Sequence, residues 1–75
     1  MLLTDVQKKT IEQMTEGEDV TIGGVAVGES IRYEISRFAD EYKVCLFDRL
    51  IRLEEESFQT ASQVIHFIEY DGVIK

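Results

Sequence analysis

One cysteine and one histidine, Cys45 and His66, are all that the chain offers to the chemistries that usually reinforce domains of its size. A structural zinc site or a disulfide framework needs several such residues, so neither is available within a single chain. A chain of 75 residues has room for one domain, and such a domain buries only about 60% of the surface its unfolded form exposes. Stability is therefore marginal unless copies associate. Basic residues are scarce as well. Eight of them face fifteen acids, and the net charge of −7 repels phosphate backbones and anionic lipid surfaces. Direct binding to nucleic acid or to a membrane is not expected. No apolar run approaches the roughly 18 residues of a membrane span, and Met1 to Asp5 lack the basic start and apolar core of a secretory signal. A cytoplasmic location is the expectation, and a lone thiol fits a reducing compartment.

What is present is a hydrophobic share of 44%, spread along the whole chain, as expected of one folded domain over residues 1–75. Thr4 with Gln7 forms a capping box that starts a helix. Leu3, Val6, Thr10, Ile11 and Met14 gather in an arc of about 140° on a helical wheel, leaving Lys8, Lys9, Glu12 and Gln13 for water, and Gly17 ends the element. Val20 and Ile22 alternate before Gly23-Gly24, and Val25 and Val27 alternate after. This predicts a short hairpin with a two-residue turn, or else one strand with a glycine bulge. Ile31, Tyr33 and Ile35 alternate with Arg32, Glu34 and Ser36 as in a half-solvated strand, and Asp40-Glu41 makes the next turn. From Tyr42 to Leu53 helical and strand spacings compete. The β-branched and aromatic residues of Tyr42 to Phe47 favour strands. A second capping box, Thr60 with Gln63, precedes Ala61, Val64, Ile65 and Ile68 on one helical face, and Asp71-Gly72 closes that helix, leaving Val73-Ile74 to cover its end or pair with a sheet edge. The predicted fold is α+β: an N-terminal helix, an antiparallel meander of three or four strands, and a C-terminal helix packed on one face of the sheet.

The same residues argue against a catalytic centre. Gly23 to Ser30 has the glycine spacing of a phosphate-binding loop, but Glu29 stands where that loop requires lysine, and a carboxylate there repels phosphate. The glycines read instead as turn or bulge residues. His66 falls on the polar side of its helix, with no serine or cysteine placed as its nucleophile partner. Cys45, within Val44-Cys45-Leu46-Phe47, reads as a small core hydrophobe. No calcium-loop pattern accompanies the Glu54-Glu55-Glu56 run. No catalytic residue, metal ligand or cofactor is expected, and the chain is not predicted to be an enzyme.

Two features suit a macromolecular partner. Glu54, Glu55 and Glu56, with Asp40, Glu41 and Asp48, form a candidate acidic surface for a basic protein. In a strand Glu54 and Glu56 point the same way about 6.5 Å apart, close to the spacing of neighbouring phosphates along one nucleic-acid strand. Among the aromatics, Tyr33, Tyr42, Phe67 and Tyr70 are candidate anchors, since interfaces concentrate their energy in such side chains. A local basic face built from Arg49 and Arg52 with Lys43 or Arg37 is the only cationic alternative. In size, charge and lack of catalytic groups the chain is similar to the compact acidic inhibitors that phages and other mobile elements encode against nucleic-acid-handling proteins, anti-CRISPR and nucleic-acid-mimic proteins among them. That likeness covers no specific motif and carries over no residue. The expectation is a small acidic protein-binding module, with a homodimeric structural or assembly subunit as the alternative.

Overall fold

The computed structural model describes residues 2–71. The helix α1, Asp5–Glu12, is followed by β1, Asp19–Gly23, a short 3-10 turn over Val25–Val27, β2, Ile31–Arg37, β3, Tyr42–Asp48, β4, Ile51–Phe58, and the helix α2, Ala61–His66, whose last turn widens into a π-helical turn over Phe67–Asp71. The strands form one antiparallel meander in the order β1-β2-β3-β4, and α2 packs against α1, β3 and β4. The predicted α+β arrangement is the one observed, and the strand reading of Tyr42 to Leu53 holds over the helical one.

Both helices start where the capping boxes place them. Thr4 Oγ1 accepts from Gln7 N at 3.1 Å while Gln7 Oε1 accepts from Thr4 N at 2.9 Å, and Thr60 and Gln63 repeat the exchange at 3.2 Å each way. Each box satisfies two amides that the first helical turn leaves without an internal acceptor. Alternation then sorts the strands. Ile22, Tyr33, Ile35, Tyr42, Val44 and Leu46 are buried on the helix side, where they meet Leu3, Ile11 and Met14 from the N-terminal segment and Val64, Phe67 and Ile68 from the C-terminal one. The opposite sheet face has no helix over it and carries Arg32, Glu34, Lys43, Cys45, Phe47, Arg52 and Glu55.

Three local expectations are corrected. Gly23-Gly24 is not a two-residue turn, because β1 pairs with β2, from Asp19↔Ser36 to Gly23↔Arg32, and Val25 and Val27 lie in the connection, exposed. The glycines serve that connection. Gly24 has φ +93° with the Arg32 side chain 3.4 Å from where a Cβ would stand, and Gly28 has φ +81°, both in the region where L side chains are strained. Second, Cys45 lies half-buried on the uncovered face opposite Glu34 and Glu55, outside the core, because the alternation that buries Val44 and Leu46 turns it outward. Third, α1 ends at Glu12, with Gln13 as its cap, more than a turn before Gly17, and Val6 is 74% exposed. The helix meets the rest of the fold along a stripe narrower than its apolar arc, and the hydroxyl of Thr10 turns back to donate to Val6 O. The apolar run Leu50 to Leu53 is exposed, with only Phe58 of β4 packed against the core. The expected closure at Gly72 and the segment Val73-Ile74 lie outside the described residues.

The β3–β4 turn shows why Leu50 to Leu53 stay exposed. Asp48 pairs with Ile51 across Arg49-Leu50, and Phe47 with Arg52, but Leu46 pairs with Glu54, so Leu53 is an extra residue on β4. A bulge of this kind bends the strand and resets its alternation. Arg49 holds the turn at φ 58°, a conformation that costs a side-chain-bearing residue about 1 kcal/mol. Arg49→Gly is expected to raise stability by about 0.5 to 1 kcal/mol, read as a higher urea midpoint at unchanged slope. A lower midpoint would mean that the arginine side chain contributes more than its backbone costs.

Candidate partner-binding surface

β4 is an edge strand, and its register decides where the acidic run points. Glu54 pairs with Leu46 and Glu56 with Val44, so both side chains lie on the helix side of the sheet, Glu54 half-buried and Glu56 exposed. Glu55 pairs with Cys45 on the uncovered face. The three glutamates therefore do not form one surface. Glu55 is engaged within the molecule, 3.2 Å from Lys43 Nζ and 2.8 Å from Arg52 Nη1. Glu54 and Glu56 make no ion pair among the described residues. Two residues apart in a strand, they stand about 6.5 Å from each other.

The other acidic candidates separate to opposite ends of the sheet. Asp40 and Glu41 form the β2–β3 turn, and Asp48 closes β3 at the far end, about 20 Å away along the strand. Near Asp40 and Glu41 the fold brings acids that sequence reading had not placed there. Gly17 N donates to Arg37 O at 2.9 Å and Arg37 N to Glu18 O at 3.0 Å, which sets the α1–β1 turn, with Glu16, Glu18 and Asp19, beside the β2–β3 turn. The pairing of β1 with β2 is the long-range fact that produces this acidic end. Two apolar residues before Gly23 carry no signal of it.

The basic residues do not offset these acids, because most are engaged locally. Arg32 Nε lies 2.8 Å from Glu34, and its guanidinium sits 4.3 Å from the centre of the Phe47 ring. Arg37 donates to the carbonyls of Phe38 and Glu41 and stacks 4.6 Å over Tyr42, so it staples the β2–β3 turn. Lys43 and Arg52 share Glu55, and Lys8 faces Glu69 at 3.8 Å. The basic face foreseen from Arg49, Arg52, Lys43 and Arg37 is thus dispersed, with Arg37 at one end of β3 and Arg49 at the other.

Burial removes three of the four aromatic anchors from any surface contact in this fold. Tyr33 is fully buried, Tyr42 and Phe67 are buried, and Tyr70 alone is exposed, at 58%. Tyr33 meets Phe67 edge-on at 6.4 Å, and Phe67 meets Phe58 at 5.3 Å, so the aromatic set closes the core under α2. Burial, and secondarily the nearby charge of Glu54, pushes the Tyr33 hydroxyl above its ordinary value of 10.0. His66 is exposed and rests against the Tyr70 ring at 4.9 Å.

The end of the sheet opposite the acidic turns carries exposed apolar side chains beside Asp48 and Arg49. Leu50 is 93% exposed, and Ile51 and Val25 are also exposed. Arg49 N, donating to Ser30 O at 2.8 Å, holds the β3–β4 turn against the connection that carries Val25. Among the described residues no three or more His, Cys, Asp and Glu side chains form a group able to hold a metal ion, and no helix is long and apolar enough to cross a membrane. No protein-family model, no curated protein and no solved structure matches the chain.

Proposed function

We propose that the chain is an acidic protein-binding module that engages a partner through the Glu54 and Glu56 side of β4. The observation that carries this reading is the contrast within one strand: Glu55 is matched by Lys43 and Arg52, while half-buried Glu54 and exposed Glu56, on the helix side of the edge strand, have no ion-pair partner among the described residues. A matched carboxylate stabilises the fold. An unmatched pair at fixed spacing is available to a cationic surface and steers its approach. The partner is a protein with a basic surface. A nucleic-acid-handling protein is the best-fitting class, because two carboxylates about 6.5 Å apart offer its phosphate-binding site a spacing near that of its ordinary ligand. In this reading the chain acts as a non-catalytic inhibitor, of the kind that phages encode, and itself binds neither nucleic acid nor membrane.

A pull-down from lysate at low and high salt, run with the wild type and with Glu54→Gln/Glu56→Gln, tests this. Recovery of a basic protein by the wild type at low salt, with slower association by the variant, supports the proposal. Equal association rates at low salt overturn it. Self-association is the second reading, favoured by the exposed Val25, Leu50 and Ile51 at the other end of the sheet. Light scattering decides it: a dimer that Leu50→Glu converts to monomer supports this reading, and a wild-type monomer removes it.

A further inference from the structure

We propose that the outer edge of β4 takes up an extended basic segment of the partner as a fifth strand. This rests on the reading that Glu54 and Glu56 face a basic partner, and it adds the mode of contact and the chemistry of the segment.

The sheet has two edges, and they differ. β1 is short, and Leu2, Gln7 and Val27 gather beside its Thr21–Gly23 stretch. β4 is longer, running Ile51–Phe58, and among the described residues no backbone hydrogen bond reaches across its outer side. An edge strand presents every second residue's amide and carbonyl outward, which makes it a template for another extended chain. The bulge at Leu53 limits the regular part of that template to Glu54 through Phe58.

Charge selects the occupant. A second copy paired through β4 would bring Glu54, Glu55 and Glu56 of both chains onto one seam, and like charges across a strand pair repel. A basic segment meets the opposite situation. Its residues facing the helix side would stand opposite Glu54 and Glu56, so lysine or arginine fits at two alternating positions. The next residue on that side reaches Leu53 and Ile51, both exposed, and is apolar. Glu55 stays with Lys43 and Arg52 on the other face and makes no demand on the segment.

The test uses the full chain and a capped hexapeptide that alternates lysine with threonine twice and ends in valine and threonine. A second peptide is identical except for N-methylation of alternate amides, which keeps the charge and removes strand hydrogen bonds. A third carries glutamate for lysine. Wild-type protein is expected to bind the first peptide, with slowed amide exchange within residues 54–58, and to bind the other two at least about tenfold more weakly. Glu54→Gln/Glu56→Gln weakens the first peptide about tenfold, and Asp40→Asn/Glu41→Gln leaves it unchanged. Equal binding of the N-methylated peptide overturns strand addition while leaving an electrostatic partner surface intact. Absence of any binding by the first peptide also overturns it and assigns the glutamates to guarding the edge against self-pairing. The lysate experiment then judges the broader reading independently.

Discussion

Tyr33→Ala is expected to lower the melting temperature by roughly 15 to 30 °C. Tyr33 is fully buried, sits in the second strand of the meander, and packs edge-on against Phe67 of the C-terminal helical segment. Truncating an aromatic in such a place costs about 3 to 5 kcal/mol. A domain of this size holds only about 4 to 11 kcal/mol in total. The ring carries the effect. The hydroxyl lies 3.5 Å from Ile68 O, at the limit of a hydrogen bond, so Tyr33→Phe should cost less than about 1 kcal/mol. The phenylalanine variant also tests a pH effect. The folded hydroxyl titrates above the unfolded one, raised first by burial and then by Glu54, so its contribution is complete below the unfolded value of 10.0 and is lost as pH rises through the folded value. Wild type should lose stability on that alkaline limb, and Tyr33→Phe should lose less. Circular dichroism melts at neutral and alkaline pH read both effects. An alanine variant that melts within a few degrees of wild type would contradict the packing described here.

Glu69→Ala is expected to cost about 1 to 3 kcal/mol, the second largest effect. The Glu69 side chain is only 7% exposed and accepts from Leu3 N at 2.9 Å, with Lys8 Nζ at 3.8 Å. Removing the carboxylate leaves the Leu3 amide without its acceptor in a partly buried place. Glu69→Gln keeps an acceptor there and loses only the interaction with Lys8, whose side chain is 40% exposed, so it should cost less than about 1 kcal/mol. Urea denaturation separates the two. Equal losses for alanine and glutamine would mean that the charge, and not the hydrogen bond, matters.

The parts of the fold legible in the sequence are those fixed by neighbours in the chain. Thr4 with Gln7 and Thr60 with Gln63 are reciprocal devices three residues apart, and both formed. Ile31, Tyr33 and Ile35 kept one face because a strand alternates regardless of its partner. The errors arose where a distant segment decides. Val25 and Val27 alternate as a strand would, but β2 occupies the place beside β1, and they are left in a turn. Cys45 looked apolar by company, yet company along a strand alternates between two faces. The apolar run Leu50 to Leu53 has no core to join, because the extra residue at Leu53 and the position of α2 leave that end of β4 uncovered. The candidate surface followed the same rule. The common direction of Glu54 and Glu56 was readable from strand geometry alone, whereas the engagement of Glu55 by Lys43 and the burial of Tyr42 and Phe67 depend on pairing and on helix placement.

The contact between Leu3 and Glu69 has a kinetic consequence. Each strand of the meander pairs with the strand that follows it, so the sheet assembles through short loops, while the Leu3–Glu69 bond joins residues 66 positions apart. Closing a loop of that length costs about 3.7 kcal/mol of chain entropy when nothing else has ordered, and far less once the sheet and α2 already hold the two segments near each other. The clamp therefore belongs to the last stage of assembly, after the rate-limiting barrier. Its loss should quicken unfolding and leave the folding rate nearly unchanged, so that Glu69 governs how long the native molecule persists and has little say in how fast it is reached.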